Sequence, residues 1–252
     1  MRIRASVAVV SGALALSALA VPAAQADGGY GDTKITKVVV DGDNKVSIGT
    51  SAAKTFKVSV TATDNSGIKG ADSFDLLGPD YGIESTGKPT CTAVNATTST
   101  CTASVTIDPR VDYLTNKNAG TWYVSVWIDA EDGDFIWTEK AGSFSFQCAA
   151  KLTTNAAPEP VKKGKTLTVT GALTRANWES LKYGGYGSQA VKLQFRKKSS
   201  SSYTTLKTVT ADSKGNLKTT TTAKEDGYFR FSFAGNSTTA AVSATGDYVD
   251  VN

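Results

Sequence analysis

The sequence predicts an all-β chain folded as two tandem antiparallel β-sandwiches. Three observations predict it. Apolar residues recur at every second position in one segment after another, which is the period of a strand with one buried face. Turn signals such as Asp41-Gly42, Asn65-Ser66-Gly67 and Asp132-Gly133 separate these segments at short intervals. Beyond the first 26 residues no stretch shows helical periodicity, and seven or so short strands in roughly 100 residues, twice over, is a sandwich pattern.

Taken in chain order, the first segment is not a strand. Arg2 and Arg4 form a basic head, residues 7–20 are an apolar run, and Ala24-Gln25-Ala26 is a small-x-small cleavage site. Residues 1–26 therefore read as a signal peptide, and the expected location is secreted or extracellular, with wall association open. Phe56, Val58, Val60 and Ala62 then alternate with Lys57, Ser59 and Thr61. Ala103, Val105 and Ile107 do the same, followed by Trp122, Val124, Val126 and Ile128, and by Phe144 and Phe146. Residues 27–150 are thus expected to form the first sandwich. In residues 151–252, the expected second sandwich, the core faces read as Leu167, Val169 and Leu173, then Val191, Leu193 and Phe195, then Phe229, Phe231 and Phe233. Lys214-Gly215-Asn216 is a hairpin turn, and Ala157-Pro158-Glu159-Pro160 reads as a kinked edge strand, where prolines are tolerated. Only Ala149-Ala150 joins the two halves, a connection short enough to limit their relative motion.

Charge and composition exclude several functions. Of the 252 residues none is His, which removes Ser-His-Asp and Cys-His catalysis and imidazole metal ligation. No apolar run after residue 26 approaches the roughly 20 residues of a membrane span. Residues 27–150 hold 10 basic and 16 acidic groups, net −6, and residues 151–252 hold 15 and 7, net +8. Opposite fields of this kind point either to separate partners or to mutual attraction.

Three cysteines suit an oxidising compartment. Cys91 and Cys101 bracket what reads as a hairpin tip, and a disulfide between them closes a loop worth about 3 kcal/mol in the chain-entropy model. Cys148 is left over, either buried and inert or paired with another chain. A monomer is expected, and a disulfide dimer through Cys148 stays open.

Four stretches carry a family resemblance, one of them more weakly. Val161-Lys162-Lys163-Gly164-Lys165-Thr166-Leu167-Thr168-Val169-Thr170-Gly171 and Tyr228-Phe229-Arg230-Phe231-Ser232-Phe233-Ala234-Gly235 resemble bacterial immunoglobulin-like domains of secreted actinobacterial, Streptomyces-type proteins. So does Ala190-Val191-Lys192-Leu193-Gln194-Phe195, and more weakly Val60-Thr61-Ala62-Thr63-Asp64-Asn65-Ser66-Gly67-Ile68 in the first half. Relatives of this two-domain type carry names such as hypothetical or calcium-binding protein. The resemblance implies two immunoglobulin-like sandwiches and little function, because such domains serve as spacers, adhesins and binding modules.

Four groups of residues are candidates for function. Asp129, Glu131, Asp132 and Asp134 lie in a loop expected beside the one that holds Asp64. Clustered carboxylates on adjacent loops suit calcium, the candidate cofactor, although the spacing is not that of an EF-hand and a solvated acidic turn is the alternative. Trp127 and Trp137, together with Trp178, Tyr183 and Tyr186 in a long Gly-rich loop, are candidate ligand contacts, set against the alternative of aromatics that simply cover their own sheets. Lys192, Arg196 and Arg230 form a basic face suited to anionic wall polymer or acidic polysaccharide, or serving solubility alone. The expected function is a non-catalytic binding or structural protein of the bacterial cell surface or extracellular space. Its partner would be a cell-wall polymer, a polysaccharide or an extracellular protein, with no nucleic acid. A carbohydrate or small-molecule carrier and a secreted protease inhibitor are the alternatives, and a hydrolase the weakest.

Overall fold

The computed structural model describes residues 27–80 and 82–252, so the expected signal peptide lies outside the described residues. The first half contains β1 (Gly28–Tyr30), β2 (Lys34–Val40), β3 (Lys45–Ile48), β4 (Lys54–Thr63), β5 (Ile68–Leu77), β6 (Gly82–Glu84), β7 (Thr90–Asn95), β8 (Thr98–Ile107), β9 (Gly120–Ala130) and β10 (Phe135–Cys148). The second contains β11 (Ala150–Leu152), β12 (Asn155–Ala157), β13 (Thr166–Asn177), β14 (Lys182–Gly185), β15 (Ala190–Lys197), β16 (Thr204–Thr210), β17 (Asn216–Thr222), β18 (Gly227–Phe233), β19 (Val242–Ser243) and β20 (Asp247–Val249).

These strands make two immunoglobulin-like β-sandwiches. In the first, a sheet ordered β1-β10-β9-β5-β6 faces a sheet ordered β2-β4-β8-β7. In the second, β13 is flanked by β11, β12, β14 and β17, and faces a sheet ordered β16-β15-β18-β19 with β20 also on β18. Among the described residues the named strands pair antiparallel except that β3 runs parallel to β10, with Val46 opposite Phe146. The alternation in the sequence sets which faces are buried. Phe56, Val58, Val60 and Ala62 meet Trp122, Val124, Val126 and Ile128 in one core. Leu167, Val169, Leu173, Val191, Leu193, Phe229 and Phe231 fill the other. Cys91 and Cys101 stand opposite each other on β7 and β8 and are joined by a disulfide.

The two cores meet at a joint that the spacing of the sequence does not disclose. Trp178, the residue just after β13, belongs to the first core although that strand belongs to the second sandwich. It is 2% exposed, packs at 5.2 Å from Phe146, and donates its indole N–H to the Ile48 carbonyl at 3.2 Å. Glu179 accepts from the Asn116 amide at 2.9 Å, and the Lys151 ammonium sits 3.9 Å above the Tyr183 ring. Backbone bonds complete the contact: Ala149 N–H to the Ile48 carbonyl, Cys148 N–H to the Thr238 carbonyl, and Ala240 N–H to the Cys148 carbonyl. The tryptophan of the long Gly-rich loop, read as either a ligand contact or cover for its own sandwich, instead plugs the neighbouring one. Each ion pair among the described residues joins groups of the same half, so direct salt bridging between the oppositely charged halves does not hold the joint.

Candidate cation site at the loop end of the first sandwich

Three connections converge at one end of the first sandwich: β1 to β2, β4 to β5, and β9 to β10. Strand pairing brings them there. Tyr30 pairs with Phe135, so the turn after β1 lies against the β9–β10 hairpin. Lys34 pairs with Thr63, which places Asp32 beside Asp64. The loops also bond to one another, through Glu131 N–H to the Gly67 carbonyl at 3.0 Å and Asp132 N–H to Ser66 Oγ at 3.2 Å.

Asp32, Asp64 and Asp134 each bring a carboxylate oxygen to this place, and the three atoms lie within 4.8 Å of one another. That spacing fits a single calcium ion, whose oxygen ligands stand about 2.3–2.6 Å away. The three positions are built differently. Asp64 is 3% exposed and accepts from Thr33 Oγ1 at 2.7 Å, from Ser66 N–H at 2.8 Å and from Ser66 Oγ at 2.6 Å. Burial pushes its carboxyl up, but those hydrogen bonds to the charged form outweigh it and hold the group below the usual carboxylate value. Asp134 accepts from the Asp32 backbone N–H at 2.9 Å. Its carboxylate lies so close over Gly31 that a Cβ there would fall 1.5 Å from Oδ2, and Gly31 has φ +81°, so both space and backbone require glycine. Asp32 is exposed and accepts from the Asn65 amide at 3.1 Å. A shallow pocket of about 270 Å³ opens beside the group, lined by Asp32, Lys34, Thr63, Asp64, Asn65 and Thr97. Among the described residues no ion pair neutralises any of the three carboxylates.

Of the five acidic residues expected at a metal, the structure brings together Asp64 and Asp134. Asp129 accepts from the Trp127 indole at 2.9 Å, Asp132 accepts from the Asp134 backbone N–H at 3.1 Å, and Glu131 is exposed, so these three stand outside the group. Asp32 takes the third place. Its only sequence signal is a Gly-Asp turn, and nothing local says that this turn reaches a hairpin 102 residues on. Asp41-Gly42-Asp43-Asn44 lies beyond the opposite end of β2, with Asp41 paired to Lys54.

The aromatic candidates separate. Trp127 and Trp137 face each other across β9 and β10, and Trp127, 37% exposed, stacks on Phe135 at 4.9 Å and 5°. Tyr30 stands beside Phe135 and is 70% exposed. Trp178 is buried in the joint, and Tyr183 is half-buried there. Tyr186 packs edge-on against Phe233 and lies 4.8 Å beneath the Arg175 guanidinium. On the outer face of β15 and β18, Lys192 is exposed, Arg196 lies 3.8 Å over Tyr228, and Arg230 lies 3.7 Å over Tyr203. The basic face is therefore interleaved with tyrosines. Cys148 is fully buried, and burial pushes its thiol up to about 11.

No family model matches the chain, and no curated protein matches it. Solved structures that resemble it include three N-terminal domains of the bacteriophage RB49 highly immunogenic outer capsid protein, at 10% identity and TM-score 0.30, over 87% of this chain and 71% of that one. The D0-D1 domain of intimin aligns at 13% identity and TM-score 0.27, over 86% and 98%. Dpr2 Ig1-Ig2, in complex with DIP-Theta Ig1-Ig3, aligns at 11% and 0.31, over 85% and 98%. Overlaps this loose carry no argument about function. The strand pairing itself carries the fold.

Proposed function

We propose that the protein is an exported, non-catalytic binding or structural module of the bacterial cell surface or extracellular space, and that its first sandwich takes calcium at Asp32, Asp64 and Asp134. The observation that carries the reading is the meeting of three carboxylates from three loops within the reach of one ion. Export rests on the leader-like first 26 residues, and the Cys91–Cys101 disulfide supports an oxidising compartment. Among the described residues no helix is long and apolar enough to cross a membrane. The actinobacterial origin rests on the sequence resemblance alone. In this reading the ion ties together the β1–β2 turn, the β4–β5 loop and the β9–β10 hairpin. Calcium takes six to eight oxygens, so Asn65, carbonyls or water complete the shell. Equilibrium dialysis with ⁴⁵Ca tests it: one ion per chain is expected, lost in Asp32→Ala, whereas equal retention by both proteins would sink the site.

A second reading has one observation in its favour. The flat Trp127–Phe135 stack, with Trp137 and exposed Tyr30 next to it, offers an aromatic surface to a sugar ring or an extracellular protein. Tryptophan fluorescence on adding cell-wall polysaccharide separates it from a purely structural role. A saturable change that Trp127→Ala removes is the expected sign.

A further inference from the structure

The second sandwich is not closed along one side. Strands β16 and β17 are the free edges of its two sheets, and the positions that face inward there are mostly polar. Register puts Thr219 opposite buried Val169 and Thr221 opposite buried Leu167, so both threonines point toward the core. On the other sheet, Lys207 lies opposite Leu193 and Thr204 opposite Phe195. Where Val or Leu would seal the seam, Thr and Lys leave room. Phe195 is consequently half-buried although its strand neighbours Val191 and Leu193 are fully buried, and it meets Phe229 at 4.8 Å. A register shift between Leu193 and Gln194 leaves Leu206 unpaired at the mouth, 43% exposed. The resulting cleft measures about 570 Å³, within the roughly 300–1,000 Å³ of small-ligand sites.

Its floor is apolar and its rim is basic. Arg196, Lys197 and Lys224 line it, with Glu225 as the acid. Lys197 pairs with Glu225 at 3.0 Å, and Arg196 is occupied by Tyr228 and by the Ser200 carbonyl. Lys224 is left, among the described residues of this rim, as a cation with no ion-pair partner. An extended peptide fits poorly, because Lys207 Nζ donates across the seam to the Thr220 carbonyl at 2.6 Å and ties the two edges together.

We propose that this cleft binds a small anionic amphiphile, a medium-chain carboxylate, with its chain against Phe195, Phe229 and Leu206 and its carboxylate on Lys224. The proposal is independent of the cation reading, which concerns the other sandwich. Calorimetric titration of the full chain with decanoate tests it, with decanol as the uncharged control. One saturable site is expected for decanoate. Lys224→Glu, at an exposed rim position, should weaken it about tenfold or more without changing the melting temperature, since a charge-assisted bond is replaced by repulsion. Thr221→Phe should abolish binding by filling the cleft. If that variant does not fold, Leu206→Asp at the exposed mouth should weaken binding in its place. Absence of saturable heat at millimolar decanoate, equal binding of decanol, or undiminished binding to Lys224→Glu would each overturn the proposal.

Discussion

At the residue scale the chain holds two buried groups whose protonation follows from their surroundings. Asp64 binds its charge through Ser66 and Thr33, and its carboxyl is held down in the folded state. A depressed folded value means that this contribution to stability is fully present above the ordinary Asp value of about 3.9 and is lost as pH falls through the lower folded value. Asp64→Asn should therefore flatten the acid limb of a stability–pH profile below about pH 4. Asp64→Ala should cost about 1–3 kcal/mol at neutral pH, because the Thr33 hydroxyl and the Ser66 N–H lose their acceptor. Urea titration at a series of pH values checks both. Cys148 is the converse case. Its thiol stays protonated up to about 11 and is fully buried, so Ellman's reagent should leave the folded protein unmodified and titrate one thiol in denaturant. Rapid native labelling would show that the joint opens.

At the element scale the strands were legible and their long-range neighbours were not. Period-two alternation picked out the inward faces of β4, β8, β9, β13, β15 and β18, because a half-buried strand writes its environment into its own sequence. The Cys91–Cys101 pairing was legible for the same local reason, since the two residues share a hairpin. Asp32 and Trp178 were not legible. Each acquires its role from a partner about 30 to 130 residues away, Asp64 and Asp134 for the first and Ile48 and Phe146 for the second. Local patterning carries no information on such pairs. Asp129, Glu131 and Asp132 show the reverse failure, in which an acidic run in sequence scatters because successive side chains in a turn point in different directions. The joint itself yields a prediction. Trp178→Ala removes a buried indole and should cost about 3–5 kcal/mol, an amount expected to uncouple the two sandwiches. Scanning calorimetry should then show two transitions where the parent shows one. A single unshifted transition in the variant would mean that Trp178 does not carry the coupling.

At the scale of the whole molecule, two sandwiches of opposite charge are held in one arrangement by a plugged tryptophan and a seam of backbone hydrogen bonds. Because no salt bridge among the described residues joins the halves, the acidic field of the first and the basic field of the second remain available to outside partners. Fixing their orientation lets one chain present a loop end of three clustered carboxylates and a basic, tyrosine-laced sheet face at a set separation. Calcium binding at the loop end of the first sandwich, as proposed, is open to direct test. The most direct measurement is a thermal melt of the protein from residue 27 onward, in millimolar calcium and in chelator, alongside Asp32→Ala. At about 1,000 times the dissociation constant, linkage adds about 4 kcal/mol, which raises the melting temperature of a chain this size by several degrees. That shift is expected in the parent and its loss in Asp32→Ala, whose exposed side chain contributes little to the fold. Superimposable curves with and without calcium in the parent would contradict it.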